Sequence, residues 1–524
     1  MRTFICICLL LLTVHLPAQD ATSALLPMPN QVTLSKEKPF AIRPGKTAVY
    51  WNRPELEFTA RSLQNILRDR IQVEIPVLES ERADIRLLID PAMTGKEHYV
   101  LEINTKGITI KGATAAAVYY GVMTLDQLLL GDVCATSQKK LSSVYIDDAP
   151  RFAHRALMLD PARHFLPVDD VKFYIDQMAR YKYNVLQLHL TDDQGWRVEI
   201  QKHPKLVGKD YYTQEQLADL IQYAAQRHIE IIPELDIPGH TVAILAAYPE
   251  LGCTHTDTLP KNVGKTVDLM LCANNEKVYT VYRDIIKEIA ALFPSRYIHL
   301  GGDEAVIEKN WTKCERCQAM MKKLGYQKAS QLMIPFFDRM LSFVQDNGKT
   351  PILWCELDNI YPPANDYLFP YPKNVTLVSW RGGLTPTCLE LTRKHGNPLI
   401  MAPGEYAYLD YPQFKGDLPE FNNWGMPVTT LQKSYQFDPG YGVPAQEQAH
   451  IQGVMGTLWG EAIRDINRAT YMTYPRGLAL AEAGWTQMEH RDWESFKKRL
   501  YPNLMNLMKK GVSLRVPFEI ADRK

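Results

Sequence analysis

The sequence predicts an α/β fold, a (β/α)8 TIM barrel preceded by a small α+β domain. From Arg151 onward, eight short apolar runs alternate with amphipathic helical stretches, the pattern of a barrel of parallel strands. Ahead of that point, paired strand-like segments with two helical stretches describe a separate α+β unit. At 524 residues the chain has room for two domains.

Taken in order, residues 1–18 read as an export signal. Arg2 is positive, residues 4–14 are almost wholly apolar, and Leu16-Pro17-Ala18 offers a small residue before Gln19. That run is too short for an ordinary transmembrane helix, and no other segment approaches the length needed. The expectation is an exported protein, periplasmic or extracellular, with no membrane span. Residues 19–150 form the α+β support domain, with strands at 99–103 and 107–110 and helices at 55–70 and 113–130. Residues 151–490 form the barrel. Its strands are expected at 156–159, 185–190, 229–235, 297–300, 351–354, 375–380, 398–402 and 454–459. Helices at 168–183, 214–228, 276–292 and 330–347 separate several of them. Closing helices are expected at 471–486 and 493–510, the second within a C-terminal segment, 491–524, packed on the barrel.

Lys+Arg and Asp+Glu both number 59, so no net field favours nucleic acid or an anionic membrane surface. Hydrophobic residues at 46% and charged residues at 23% suit a soluble globular enzyme. Without the signal, seven of the nine cysteines remain. Cys253 and Cys272 bracket a loop rich in Thr, Asp and Lys, and a disulfide between them is left open. Cys314-x-x-Cys317 would need two more ligands to hold zinc, and its sequence neighbourhood offers none. Structural or idle thiols, and no metal, are therefore expected.

In a TIM barrel the active site lies where the strands end, at their C-terminal face. Here those ends carry Asp160-Pro161-Ala162-Arg163-His164, Asp192-Asp193-Gln194-Gly195-Trp196 and Glu234-Leu235-Asp236-Ile237-Pro238-Gly239-His240. They continue with Gly301-Gly302-Asp303-Glu304, Trp354-Cys355-Glu356, Trp380-Arg381-Gly382, a loop with Tyr406, Tyr408 and Asp410, and Trp459-Gly460-Glu461. One such acid alone would be read as a cap or an ion-pair partner. The whole set on one rim, with three Trp, forms a box for a pyranose ring, because aromatic faces pack on sugar C–H groups while carboxylates bind hydroxyls. Glycosidases usually set two carboxylates on opposite sides of the bond. Asp303 and Glu304 are adjacent, and neighbours on a strand point apart, so one protonates the leaving oxygen while the other does something else. Substrate assistance by a 2-acetamido group is the recognised exception to the two-carboxylate rule.

His299-Leu300-Gly301-Gly302-Asp303-Glu304 resembles the signature of the family 20 glycoside hydrolases, the β-N-acetylhexosaminidases. The segments 159–165, 189–196 and 233–240 match the same family in order, and the preceding α+β domain is its usual companion. The resemblance implies an exo-acting, retaining hydrolase of terminal β-linked GlcNAc or GalNAc, with a glycan substrate and no cofactor. It implies Glu304 as general acid and then base, and Asp303 as the partner of the acetamide N–H and of the oxazolinium charge. Tyr408 would donate to the acetamide oxygen, with Trp354, Trp380 and Trp459 as walls. Arg163, Asp410 and Glu461 would bind sugar hydroxyls, Asp192 and His240 would tune Glu304, and Trp424 would stack on the next sugar. For Asp236 and Asp193, turn capping is equally open.

An acid working near neutral pH benefits from a raised pKa, whereas Asp303 is expected to stay ionised. Arg381, beside Trp380, either faces a 6-sulfate on the sugar or pairs with a nearby carboxylate. A 6-sulfo-GlcNAc-specific enzyme, an inactive sugar-binding barrel and a metal-dependent barrel hydrolase are the rival readings. The last is disfavoured because the first strand lacks paired histidines.

Overall fold

The structure is a computed structural model that describes residues 22–131, 139–253, 269–355, 371–381, 383, 385–417, 426–440, 443 and 448–520. The expected export signal, Trp424 and Glu356 lie outside the described residues.

Among the described residues, eight strands precede the barrel: β1 Gln31–Leu34, β2 Phe40–Ala41, β3 Val49–Trp51, β4 Ile85–Ile89, β5 Tyr99–Asn104, β6 Gly107–Gly112, β7 Lys140–Leu141 and β8 Val144–Asp148. Six of them make one mixed sheet in the order β1-β8-β5-β6-β4-β3, and β2 pairs with β7. In β5, Tyr99, Leu101 and Ile103 are buried while Glu102 is exposed, the alternation of a sheet covered on one face. Helices Glu57–Ile71 and Ala115–Gly131 cover that face. The second is apolar nearly all round because the sheet lies on one side and the barrel on the other.

The barrel strands are β9 His154–Leu159, β10 Val185–His189, β11 Glu230–Glu234, β12 Tyr297–His299, β13 Thr350–Trp354, β14 Thr376–Ser379, β15 Leu399–Met401 and β16 Ile451–Leu458. All are parallel, each pairs with the next, and β16 returns to β9, closing the barrel. Every one of the eight expected runs is a strand. Both faces of each strand are buried, so the runs are continuously apolar. Ala156, Met158, Val185, Ile232, Ile352 and Met455 fill the interior. Their neighbours Leu157, Leu159, Leu186 and Leu188 pack outward among the helices. The single closing helix expected at 471–486 is two helices, Ile466–Thr473 and Arg476–Trp485. Pro475 separates them, since a proline has no N–H to continue the ladder.

Buried charges join the domains. Lys182 Nζ lies 3.1 Å from Asp148 Oδ2, both side chains fully buried, and Arg155 meets Glu97 at 2.8 Å. The C-terminal helix Trp493–Lys509 touches both domains: Arg499 pairs with Glu482 of the barrel at 2.8 Å, and Asn506 accepts from Arg70 at 2.6 Å.

One sequence expectation fails here. Cys314 and Cys317 do have two more sulfur neighbours, Cys253 and Cys272, and the four Sγ atoms lie within 4.8 Å of one another. The loops that follow β11 and β12 leave adjacent strands on the same rim, so residues 42 to 64 positions apart in sequence converge. Sequence proximity is a poor guide in a barrel. All four are free thiols.

Candidate active site

A cavity of about 290 Å³ opens at the C-terminal rim of the barrel. Nine expected residues line it: Arg163, His240, Asp303, Glu304, Trp380, Tyr408, Asp410, Trp459 and Glu461. Two others stand behind the wall. Asp192 sits beneath His240, and Trp354 is a fully buried floor residue whose indole N–H donates to Glu234 at 2.8 Å. Trp354 supports Trp459, with ring centres 5.6 Å apart, and does not line the cavity.

Asp303 and Glu304 are not on the strand, which ends at His299. Gly301 and Gly302 turn the chain with φ of 65° and 106°. A Cβ on Gly301 would fall 1.7 Å from Asp236 Oδ1, so glycine is required there. Asp236 holds this turn by accepting from the Gly302 N–H at 3.1 Å. Asp193 accepts from the Val242 N–H at 3.1 Å and fixes the start of the short helix after His240. The role left open for these two acids is thus backbone support. Glu304 itself has φ 47° and His240 has φ 54°, a left-handed conformation that is uncommon for non-glycine residues.

A chain of charges leads from the barrel interior to Glu304. Arg163 pairs with Asp160 at 3.0 Å and with Asp192 at 2.8 Å. Asp192 Oδ2 also faces His189 Nε2 at 2.9 Å and His240 Nδ1 at 3.4 Å. On its other side, His240 Nε2 stands 3.6 Å from Glu304 Oε2 and 3.9 Å from Asp303 Oδ2. Glu234 anchors the base of the network through His189 at 2.9 Å and Gln187 at 2.7 Å. Of the two readings for Arg381, the structure shows the carboxylate pairing: its guanidinium donates to Glu304 Oε1 at 3.2 Å and lies over the Trp380 ring.

These neighbours invert the acidities expected from the sequence. The contact with His240 holds Glu304 below the ordinary glutamate value, with Arg381 adding to it against the effect of burial. Burial pushes Asp303 up to about 6, with Glu304 and Glu234 adding to the rise and His240 opposing it. Glu304 faces two cations at the rim, whereas Asp303 is buried among carboxylates, so without substrate the order runs opposite to a raised Glu304 beside an ionised Asp303. Burial disfavours charge on His240, yet Asp192 and the other acids around it carry its pKa well above the usual range.

Trp380 and Tyr408 stack with ring planes 13° apart and centres 6.4 Å apart, and Trp459 stands 6.4 Å from Tyr408. Several buried polar atoms on this wall have no hydrogen-bond partner among the described residues: Asp303 Oδ1, Trp380 Nε1, the Tyr408 hydroxyl and Glu461 Oε2. Buried polar groups are normally paired, so such a set marks places for ligand atoms. Burial and Glu461 push Asp410 well up. Sequence reasoning assigned no role to Tyr411 and Met426, which line the cavity, or to His189 and Glu234, which build the network. The last two stood inside the quoted motifs. Met426 carries no local signal in the sequence.

The model of the glycosyl hydrolase family 20 catalytic domain matches residues 152–488, and that of the family's domain 2 matches residues 22–149. The chain belongs to glycosyl hydrolase family 20. It is 36% identical over 478 residues to a β-hexosaminidase of Akkermansia muciniphila, covering 88% of this chain and 90% of that one. Among solved structures of the family, an exo-β-N-acetylglucosaminidase from Vibrio harveyi bound to N-acetylglucosamine superposes with a TM-score of 0.82 at 30% identity, over 95% of this chain and 79% of that one. The Streptomyces plicatus N-acetyl-β-hexosaminidase superposes with a TM-score of 0.81 at 31% identity, over 95% and 97% of the two chains. The two matches follow the division seen in the structure, a smaller domain and then the barrel.

Proposed function

We propose that this family 20 hydrolase removes terminal, non-reducing β-linked N-acetylhexosamine from glycans with retention, using the substrate's own acetamide as nucleophile. The observation that carries this reading is the buried, unpartnered Asp303 carboxylate oxygen beside an acid already engaged by His240 and Arg381. Family membership and the β-hexosaminidase relatives support it.

In the first step the acetamide oxygen forms a bond to the anomeric carbon as the glycosidic C–O bond breaks. Glu304 gives its proton to the departing oxygen. The ring so formed is an oxazolinium cation. Asp303 accepts the acetamide N–H and balances the charge, while the Tyr408 hydroxyl donates to the acetamide oxygen. In the second step Glu304, now a carboxylate, takes a proton from water, and the water oxygen displaces the acetamide at the anomeric carbon. Two inversions leave the β configuration. Trp380 and Trp459 hold the sugar, with Arg163, Asp410 and Glu461 available to its hydroxyls. Export to the periplasm or beyond, supported by the character of residues 1–18, would bring the enzyme to such glycans.

Proton NMR of a β-N-acetylglucosaminide during early turnover tests the reading. The expected first product is β-GlcNAc, with a plain β-glucoside a very poor substrate. Rapid glucoside hydrolysis, or α-product first, would overturn the substrate-assisted route.

A further inference from the structure

Outside the catalytic cavity, the cysteine cluster is the group of side chains that the reaction leaves unexplained. Cys272 Sγ lies 3.8 Å from Cys314 Sγ and 3.7 Å from Cys317 Sγ, and Cys317 Sγ lies 3.8 Å from Cys253 Sγ. Zinc bonds thiolates at about 2.3 Å, which places the sulfurs of a tetrahedral site about 3.8 Å apart. The observed separations have that value. Two disulfides would instead divide the four sulfurs into close pairs, whereas here Cys272 and Cys317 each have two equivalent neighbours. Cys272 and Cys317 are fully buried, Cys314 nearly so and Cys253 partly, which gives a closed site with no open coordination position. The other three clusters of acids and histidines among the described residues belong to the charge network of the active site.

The surrounding backbone is built to hold the four sulfurs in place. Gly252 and Leu271 bridge as antiparallel partners, and the Cys272 N–H donates to Leu251 at 2.9 Å. The Arg316 guanidinium donates to the Gly252 carbonyl at 2.8 Å, and Asn274 donates to the Arg316 carbonyl at 2.7 Å. Cys314 stands at the N-terminal end of helix Glu315–Leu324, which fixes its position next to Cys317 one turn on.

We propose that Cys253, Cys272, Cys314 and Cys317 form a structural zinc site that ties the loop after β11 to the loop after β12. The ion holds its four thiolates closed and takes no part in the reaction. Its position links it to catalysis all the same. The Leu271 N–H, one residue before Cys272, donates to the Pro238 carbonyl at 3.0 Å, two residues before His240. The Trp311 indole, between Glu304 and Cys314, donates to the Leu271 carbonyl at 2.8 Å. Zinc therefore fastens the base of both loops that bring His240 and Glu304 together.

Metal analysis of the full-length protein, purified without added metal, is expected to give about one zinc per chain. A native mass spectrum is expected to show one bound zinc, and these four thiols are expected to resist a thiol reagent until the metal is released. Cys317→Ser and Cys253→Ser are expected to lose the zinc and to melt earlier, whereas Cys388→Ser, away from the cluster, keeps both. Metal-free wild-type protein with the four cysteines recovered as disulfides would overturn the proposal. So would iron in place of zinc. Because the wild-type measurements decide alone, a variant that fails to fold leaves the test intact.

Discussion

His240 Nε2 faces Glu304 Oε2 at 3.6 Å, and both residues hold left-handed backbone conformations to do so. The strain aims two side chains from neighbouring strand ends at one point. His240 is in turn held by Asp192 at 3.4 Å, so the acid's surroundings are set from the barrel interior outward.

The pair of acids predicts a bell-shaped pH dependence of kcat/KM. The proposed mechanism needs Asp303 ionised and Glu304 protonated, which is the minor placement of their shared proton because Asp303 is the weaker acid. The two share one proton only between a lower step, below the ordinary glutamate value, and an upper step at about 6. Below the lower step Asp303 is neutral and the cation has no partner. Above the upper step Glu304 has no proton to give. The optimum is thus expected on the acid side, with the decline beginning at about pH 6. His240→Gln removes a positive charge that lowers both acids, so both limbs are expected to move to higher pH while kcat falls. Limbs that stay in place would show that His240 does not set them.

Glu304→Gln and Asp303→Asn are expected to differ by leaving group. Without its proton donor, Glu304→Gln loses about 10²–10⁴ in kcat on poor leaving groups and much less on activated aryl glycosides. Asp303→Asn removes the counter-charge and loses about 10²–10³ on both kinds. Parallel kinetics on a phenyl and a dinitrophenyl glycoside measure this, and an exchanged pattern would exchange the roles.

Tyr408→Phe removes the unpartnered hydroxyl and keeps the ring stacked on Trp380. Loss of one donor to a developing charge is expected to lower kcat by about 10²–10³, with little change in the affinity for GlcNAc product. An unchanged kcat would mean that the hydroxyl does not meet the acetamide.

The domain interface predicts a stability effect away from the site. Asp148→Ala leaves Lys182 buried without its counter-charge and is expected to lower stability by about 3–5 kcal/mol. Lys182→Met together with Asp148→Ala removes both charges and is expected to recover much of that loss. Thermal melting of the three variants reads this, and equal losses in single and double variants would assign the effect to packing instead.

The barrel was legible in the sequence because its strands are buried on both faces, which forces continuous apolar runs that no surface segment imitates. The rim was legible for the complementary reason. Charged and aromatic residues such as Arg163, Asp303 and Trp459 stand at the ends of those runs, where burial alone would exclude them. Segment ends shifted by a few residues. The helix 330–347, for instance, begins with a short turn and is regular only over Met333–Asp346.

Tertiary structure decided what depends on neighbours far apart in sequence. The acidities of Asp303 and Glu304 follow from His240, Arg381 and Glu234, which arrive from two other strand ends, so their order could not be read from their adjacency. Trp354 turned out to be floor and Arg381 a partner of Glu304, distinctions that only the direction of a side chain settles. The four cysteines came together for the same reason. A closed barrel places successive loops side by side, so spatial neighbours can be separated by the length of a whole βα unit. The residue types at the rim were written in the chain; their distances, and with them their charges, were set by closing it.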